Sequence, residues 1–255
     1  MNNRVGERFT SNSNLGSYDF IIIEYNNCHD VLVQFQDKNK AIIRTQYKHC
    51  QSGQVRNPYH PSVFGIGYTG QGKYKPRIDN KDSEQYKEWH GLMQRGFDED
   101  FKKKHPTYKD VKVEEWLFDF QNYCKWREDN YYQVKGERMH LDKDILNKGN
   151  KIYSRETMIF VPQRINLLFT KSDANRGDFP IGVCYNKRND KYIAQCKIGE
   201  GERKHLGYYN TPEEAFKVYK EFKEEYIKQV ADEYKYYIPK ELYEAMYKWE
   251  VEITD

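Results

Sequence analysis

The run Leu206-Gly207-Tyr208-Tyr209-Asn210-Thr211-Pro212-Glu213-Glu214-Ala215-Phe216 constrains the fold of this chain more than any other stretch. It predicts a strand end, a turn and a helix start in one short segment. Thr211 is placed as an N-cap, Pro212 suits the first helical position, and Glu214 completes a capping box. Ala215, Phe216, Tyr219, Phe222, Tyr226 and Val230 then recur at helical spacing, so the helix has an apolar face to bury. Three short strands over 181–187, 191–198 and 203–208 precede it and supply a sheet for that face to cover. Ile238-Pro239 breaks the long helix, and a last helix carries Leu242, Met246 and Trp249.

A helix on one side leaves the other side of the sheet bare. By the two-residue period, Tyr192, Ala194, Cys196, Ile198 and Leu206 face the helix, and Lys191, Ile193, Gln195, Lys197, Arg203 and His205 face away. With Asn186 at its edge, the open face is polar and cationic, which suits double-stranded DNA. Lysine and arginine meet phosphates, and Gln, Arg or Lys reach base edges in the major groove. An antiparallel sheet that is merely solvated is the plainer alternative. Lys+Arg number 42 against 39 Asp+Glu, a net charge of only +3, so any nucleic-acid surface is a local patch and not a uniform coat.

The rest of the chain predicts a modular α+β protein. Residues 1–70 read as a small β-barrel domain built from Tyr18–Tyr25, Val31–Phe35 and Ala41–Thr45, and 56–81 as an ordered Gly- and Pro-rich arm. Residues 71–177 read as a second, largely helical segment. One helical stripe is Tyr86, Trp89, Met93 and Phe97, another Trp116, Phe120, Tyr123 and Arg127, and Lys102-Lys103-Lys104 is a basic loop between them. Residues 178–255 are the sheet-and-helix domain. Aromatics at 16%, with 23 tyrosines, argue against disorder. Five cysteines without a C-x-x-C pair point to free thiols in a reducing compartment. With no apolar run near ~18 residues and no signal core, the expectation is a cytoplasmic protein without a membrane partner.

A second constellation lies at Met139-His140-Leu141-Asp142-Lys143-Asp144-Ile145. If this segment is extended, His140, Asp142 and Asp144 share one face, and two carboxylates beside an imidazole are costly to bury without a cation. Oxygen-rich chemistry without cysteine favours Mg2+ or Mn2+, one per site. An exposed strand with ordinary charges is the simpler alternative.

Two resemblances sharpen these readings. Gly182-Val183, Lys191-Tyr192-x-Ala194 and Leu206-Gly207-Tyr208-Tyr209-x-Thr211-x-Glu213-Glu214-Ala215-Phe216-x-x-Tyr219 resemble the APETALA2-type DNA-binding domain, a three-stranded sheet on one helix that lays its sheet in the major groove. By position this implies that Cys184, Asn186, Gln195, Lys197, Arg203 and His205 face DNA. Leu141 through Ser154, followed by Phe160-Val161-Pro162-x-x-Ile165-Asn166, resembles the HNH nuclease core. That core is two strands and a helix around one metal, as in phage homing endonucleases that carry an APETALA2-type domain. The resemblance implies that Asp142 and Asn166 are metal ligands.

Two positions depart from the HNH pattern: Lys143 stands where the base histidine usually follows the aspartate, and Thr157 where the middle asparagine usually stands. A lysine between two carboxylates is a poor proton acceptor near neutral pH but can hold a phosphate, which leaves His140 as the nearest base. The resemblance thus implies a phage HNH-type hydrolase that nicks or cuts duplex DNA, with His140, Asp142, Lys143 and Asp144 at its centre. The alternative is a catalytically degenerate relative that binds DNA as a regulator or inhibits a host factor. The N-terminal domain is read as the place where a host or phage protein would dock.

Overall fold

Residues 4–170, 179–199 and 201–254 are described by the computed structural model. Their elements, in chain order, are β1 (Arg8–Thr10), β2 (Asp19–Asn27), β3 (Asp30–Phe35), β4 (Ile42–Thr45), α1 (Tyr47–Gln51), β5 (Arg77–Ile78), β6 (Lys81–Asp82), α2 (Glu84–Phe97), α3 (Glu99–Lys104), β7 (Lys112–Val113) and α4 (Phe120–Asn130). There follow β8 (Met139–Asp142), β9 (Ile152–Tyr153), β10 (Ile159–Pro162), α5 (Gln163–Phe169), β11 (Val183–Asn186), β12 (Lys191–Lys197), β13 (Arg203–Tyr209), α6 (Pro212–Tyr234) and α7 (Lys240–Tyr247). The chain is α+β. Contacts divide it into two compact units, Met1–Asp129 with Lys151–Ser154, and Asn130–Asn150 with Arg155–Asp255.

In the first unit, β1 to β4 pair antiparallel in sequence order. Period-2 alternation sends Phe20, Ile22, Val31, Val33 and Phe35 into one core, where Ala41, Cys50 of α1 and Val55 join them. The expected barrel is not formed. Among the described residues β1 and β4 remain unpaired edges, and α1 with its following loop covers the apolar face that closure would have buried. The arm is ordered, as its composition suggested. The Gln71 side-chain amide donates to Ile42 O at 2.6 Å, and Tyr68 bonds Phe118 O and Phe120 N at 2.9 and 3.0 Å. Gln121 Nε2 reaches the carbonyls of Thr69 and Tyr74 at 3.0 and 2.9 Å. These contacts put the expected boundary at 70/71 inside the unit; the one expected at 177/178 lies outside the described residues.

The two helical stripes pack much as their spacing predicted. Ser83 caps α2, which buries Trp89, Leu92 and Met93, and α4 buries Phe120, Tyr123, Cys124 and Trp126. Trp89 Nε1 donates to Leu117 O at 2.7 Å, which satisfies the one polar atom of a fully buried indole. Trp116 instead lies in a single 3-10 turn, half-buried. The three lysines at 102–104 are not a loop: they form the last turn of α3, where cations complement the helix dipole, and Asp98 caps its start. Lys102 and Lys103 pair back to Glu99 and Asp100 at 3.5 and 2.9 Å.

The second unit holds two small sheets. β8 and β10 pair antiparallel from Met139↔Pro162 to Asp142↔Ile159, and α5 packs on both. β11, β12 and β13 form the three-stranded sheet expected near the C-terminus. The long helix α6 serves both. Its first turns put Ala215, Phe216 and Tyr219 against Val183, Ala194 and Cys196. Its later turns put Ile227, Val230, Ala231 and Tyr234 against Ile145, Ile159, Val161 and Ile165, a cluster joined by Leu242 and Met246 of α7. The stripe assigned to the sheet alone is therefore divided between two cores.

Candidate nucleic-acid interface and metal centre

The Thr211 hydroxyl accepts from Glu214 N at 3.2 Å while Glu214 Oε2 accepts from the amides of Thr211 and Asn210 at 3.3 and 3.1 Å. This reciprocal cap fixes where α6 leaves β13, and so which sheet face it covers. Directly opposed residues of an antiparallel pair share a face. On the side away from α6 the register pairs Asn186 with Lys191, Cys184 with Ile193, Gln195 with His205, and Lys197 with Arg203. All the residues expected on the open face therefore lie together on it. Lys197, Arg203 and His205 are exposed, and Lys191, Gln195, Asn186 and Cys184 half-buried.

Several of these side chains already have local partners. Asn186 Oδ1 accepts from Arg188 N at 2.9 Å, which makes it a former of the β11–β12 turn. Lys191 bonds Asn210, and Gln195 Nε2 donates to Cys184 Sγ at 3.5 Å. One residue of this face was missed. Between Ala194 and Gln195 the register slips, so that Ala194 opposes Gly207 while Gln195 opposes His205, and Leu206 is the extra residue of a bulge. Strict alternation would have put Tyr208 on the helix side. The bulge turns it outward opposite Ile193, where it is 50% exposed and its ring meets that of His205 edge-on at 4.8 Å. Gly207, at φ 133, was the sequence signal for it.

The second constellation sits at the end of β8. His140 and Asp142 share a strand face as expected, but the strand stops at Asp142, and Asp144 lies in the turn beyond it. Asp142 Oδ1 accepts from the amides of Asp144 and Ile145, both at 2.8 Å, and so builds that turn. The turn returns the Asp144 carboxyl to that of Asp142. Burial, with the Asp144 charge second, pushes the Asp142 carboxyl up from 3.8 to about 6. Lys143 is buried, and its Nζ lies 3.0 Å from Asp144 Oδ2; Asn150 Nδ2 donates to Lys143 O at 2.7 Å. His140 Nε2 is buried too. Asn166 lies half-buried on α5, the helix that packs on β8 and β10.

Two apposed carboxyl groups, one of them strained toward its neutral form, are the kind of oxygen donors that a hard divalent cation relieves. No group of three His, Cys, Asp or Glu side chains suited to a metal occurs among the described residues, so amide oxygen and water would have to complete a coordination shell. No described helix is long and apolar enough to cross a membrane. No family model, curated protein or solved structure matches the chain. What these sites can do rests on their own chemistry.

Proposed function

We propose that the protein binds double-stranded DNA through the open face of the β11–β13 sheet and carries an HNH-like, metal-dependent endonuclease centre at the end of β8. The observation that carries the binding half is the cross-strand set Lys197–Arg203 and Gln195–His205 on a face that α6 leaves uncovered. Cations at one end and amide or imidazole groups beside them divide the work between phosphate and base contacts. Tyr208 adds an exposed ring to the same face.

At the second site Asp142 and Asn166 would hold one Mg2+ or Mn2+, which when bound supplies charge neutralisation at a scissile phosphate. Lys143, held against Asp144, contributes a fixed positive charge rather than a base. His140, on the Asp142 face of β8, would be the base for a water admitted to the site. The tight engagement of Lys143 with Asp144 also favours a second reading, a DNA-binding protein whose nuclease centre has lost its base.

Two measurements separate these readings. Reversing the charge of Lys197 and Arg203 together should weaken duplex binding and flatten the slope of log affinity against log salt by about 2, one for each lost phosphate contact. Unchanged affinity and slope would remove the sheet from the interface. Supercoiled plasmid incubated with Mg2+ or Mn2+, against a chelator, should be nicked by the wild type. Nicking should be lost in Asp142→Asn, which keeps the turn-forming carbonyl oxygen that Asp142→Ala would delete. Plasmid left intact in both metals by the wild type and by Lys143→His would leave the binding protein as the correct reading.

A further inference from the structure

The strands of the C-terminal sheet are unequal, and the inequality opens a notch. β11 begins at Val183, opposite Ala194, and Gly182 O still accepts from Gln195 N at 2.9 Å, but beyond it Cys196 and Lys197 of β12 have no β11 strand beside them. A cavity of about 260 Å3 occupies this place. Leu167, Ile181 and Val183 supply the apolar part of its mixed lining, and Lys197 and Arg203 line it from the open face of the sheet. From the helix side comes Lys223 of α6, which is 8% exposed and makes no hydrogen bond or ion pair with any described residue. No carboxylate occurs among the described lining residues.

A lysine on so buried a stretch of helix is costly to keep charged. Burial lowers the Lys223 amine below the ordinary lysine range, and the nearby Cys196 thiol pulls it the other way. A buried primary amine that can lose its proton at the wall of a cavity is a nucleophile toward carbonyl carbon. Lys197 and Arg203 on the same lining suit an electrophile that also carries phosphate.

We propose that Lys223 is a Schiff-base-forming residue for an aldehyde flanked by phosphate. The amine lone pair adds to the carbonyl carbon, both amine hydrogens leave with the carbonyl oxygen as water, and a C=N bond replaces C=O without any redox change. Two sources share this chemistry: the ring-opened sugar of an abasic site in DNA, and a free phosphorylated aldehyde. The first rests on the DNA-binding reading, because the cavity opens beside Lys197 and Arg203 of the proposed interface.

The test is reductive trapping on the full chain. Sodium cyanoborohydride is added with a duplex holding one abasic site, or with pyridoxal 5′-phosphate, and the modified lysine is located by peptide mass mapping. Lys223 is expected to take most of the label, and Lys223→Met, which keeps the stem and removes the amine, should cut trapping at least tenfold. Trapping on abasic duplex assigns the DNA-borne source; trapping with pyridoxal 5′-phosphate alone assigns the free one. Label spread over surface lysines with the Lys223 peptide unmodified overturns the proposal, and this readout on the wild type does not depend on how the variant folds. Binding of intact duplex, measured in parallel, keeps failure of this chemistry distinct from failure of the DNA-binding reading.

Discussion

At the residue scale, two positions are set by constraints that a substitution would expose. Gly182 has φ 78, and a Cβ there would come within 2.1 Å of the Tyr219 ring. Gly182→Ala should cost about 3 kcal/mol, from a left-handed backbone and an overpacked core together, and chemical denaturation would measure it. Asp142 shows the opposite case, a native group that is itself a burden. Its folded carboxyl is raised from 3.8 to about 6, so between those values the native state holds a proton that the unfolded chain has released. Stability in chelator should therefore fall as pH rises through this window. Asp142→Asn should be more stable than wild type at pH 7.5 and indistinguishable from it near pH 4. A difference that persists at pH 4 would mean that the turn, and not the charge, governs this position.

At the element scale, α6 carries the most structure. Its capping box was legible in Thr211, Pro212 and Glu214, because a cap is local chemistry that needs no distant partner. Thr211→Ala should lower stability by about 1 kcal/mol, with faster hydrogen exchange at the first turns of α6 and in β12, where Ala215, Phe216 and Tyr219 pack. The strands were placed by alternation nearly as well, and the open-face residues came out on one face because the period of two is strict within a strand. Tyr208 escaped, since a bulge breaks that period at one residue, and the slip appears only when β13 is laid against β12. Asp144 escaped the expected extended segment for a related reason. The Asp142 side chain captures two backbone amides and ends the strand there.

At the scale of the whole molecule, α6 ties the sheet to the β8–β10–α5 cluster within one unit. A fragment of 178–255 would keep the sheet core but expose Ile227, Val230, Ala231, Leu242 and Met246. It should therefore unfold with low cooperativity, whereas 130–255 should show one transition by both fluorescence and circular dichroism. A sharp, complete transition in the shorter piece would show that the sheet core suffices alone. The sequence by itself determined whatever depends on near neighbours: the α+β class, the cap of α6, the helical stripes at Trp89 and Phe120, and the shared face of Gln195, Lys197, Arg203 and His205. Only the tertiary structure decided which core each half of α6 fills, that the N-terminal strands stay an open sheet under α1, that Tyr208 turns outward, and that Lys223 lines a cavity beside Lys197 and Arg203. Hydrophobic periodicity reports that a face will be buried but not against what, because burial is non-directional and the partner is chosen by shape and chain connectivity.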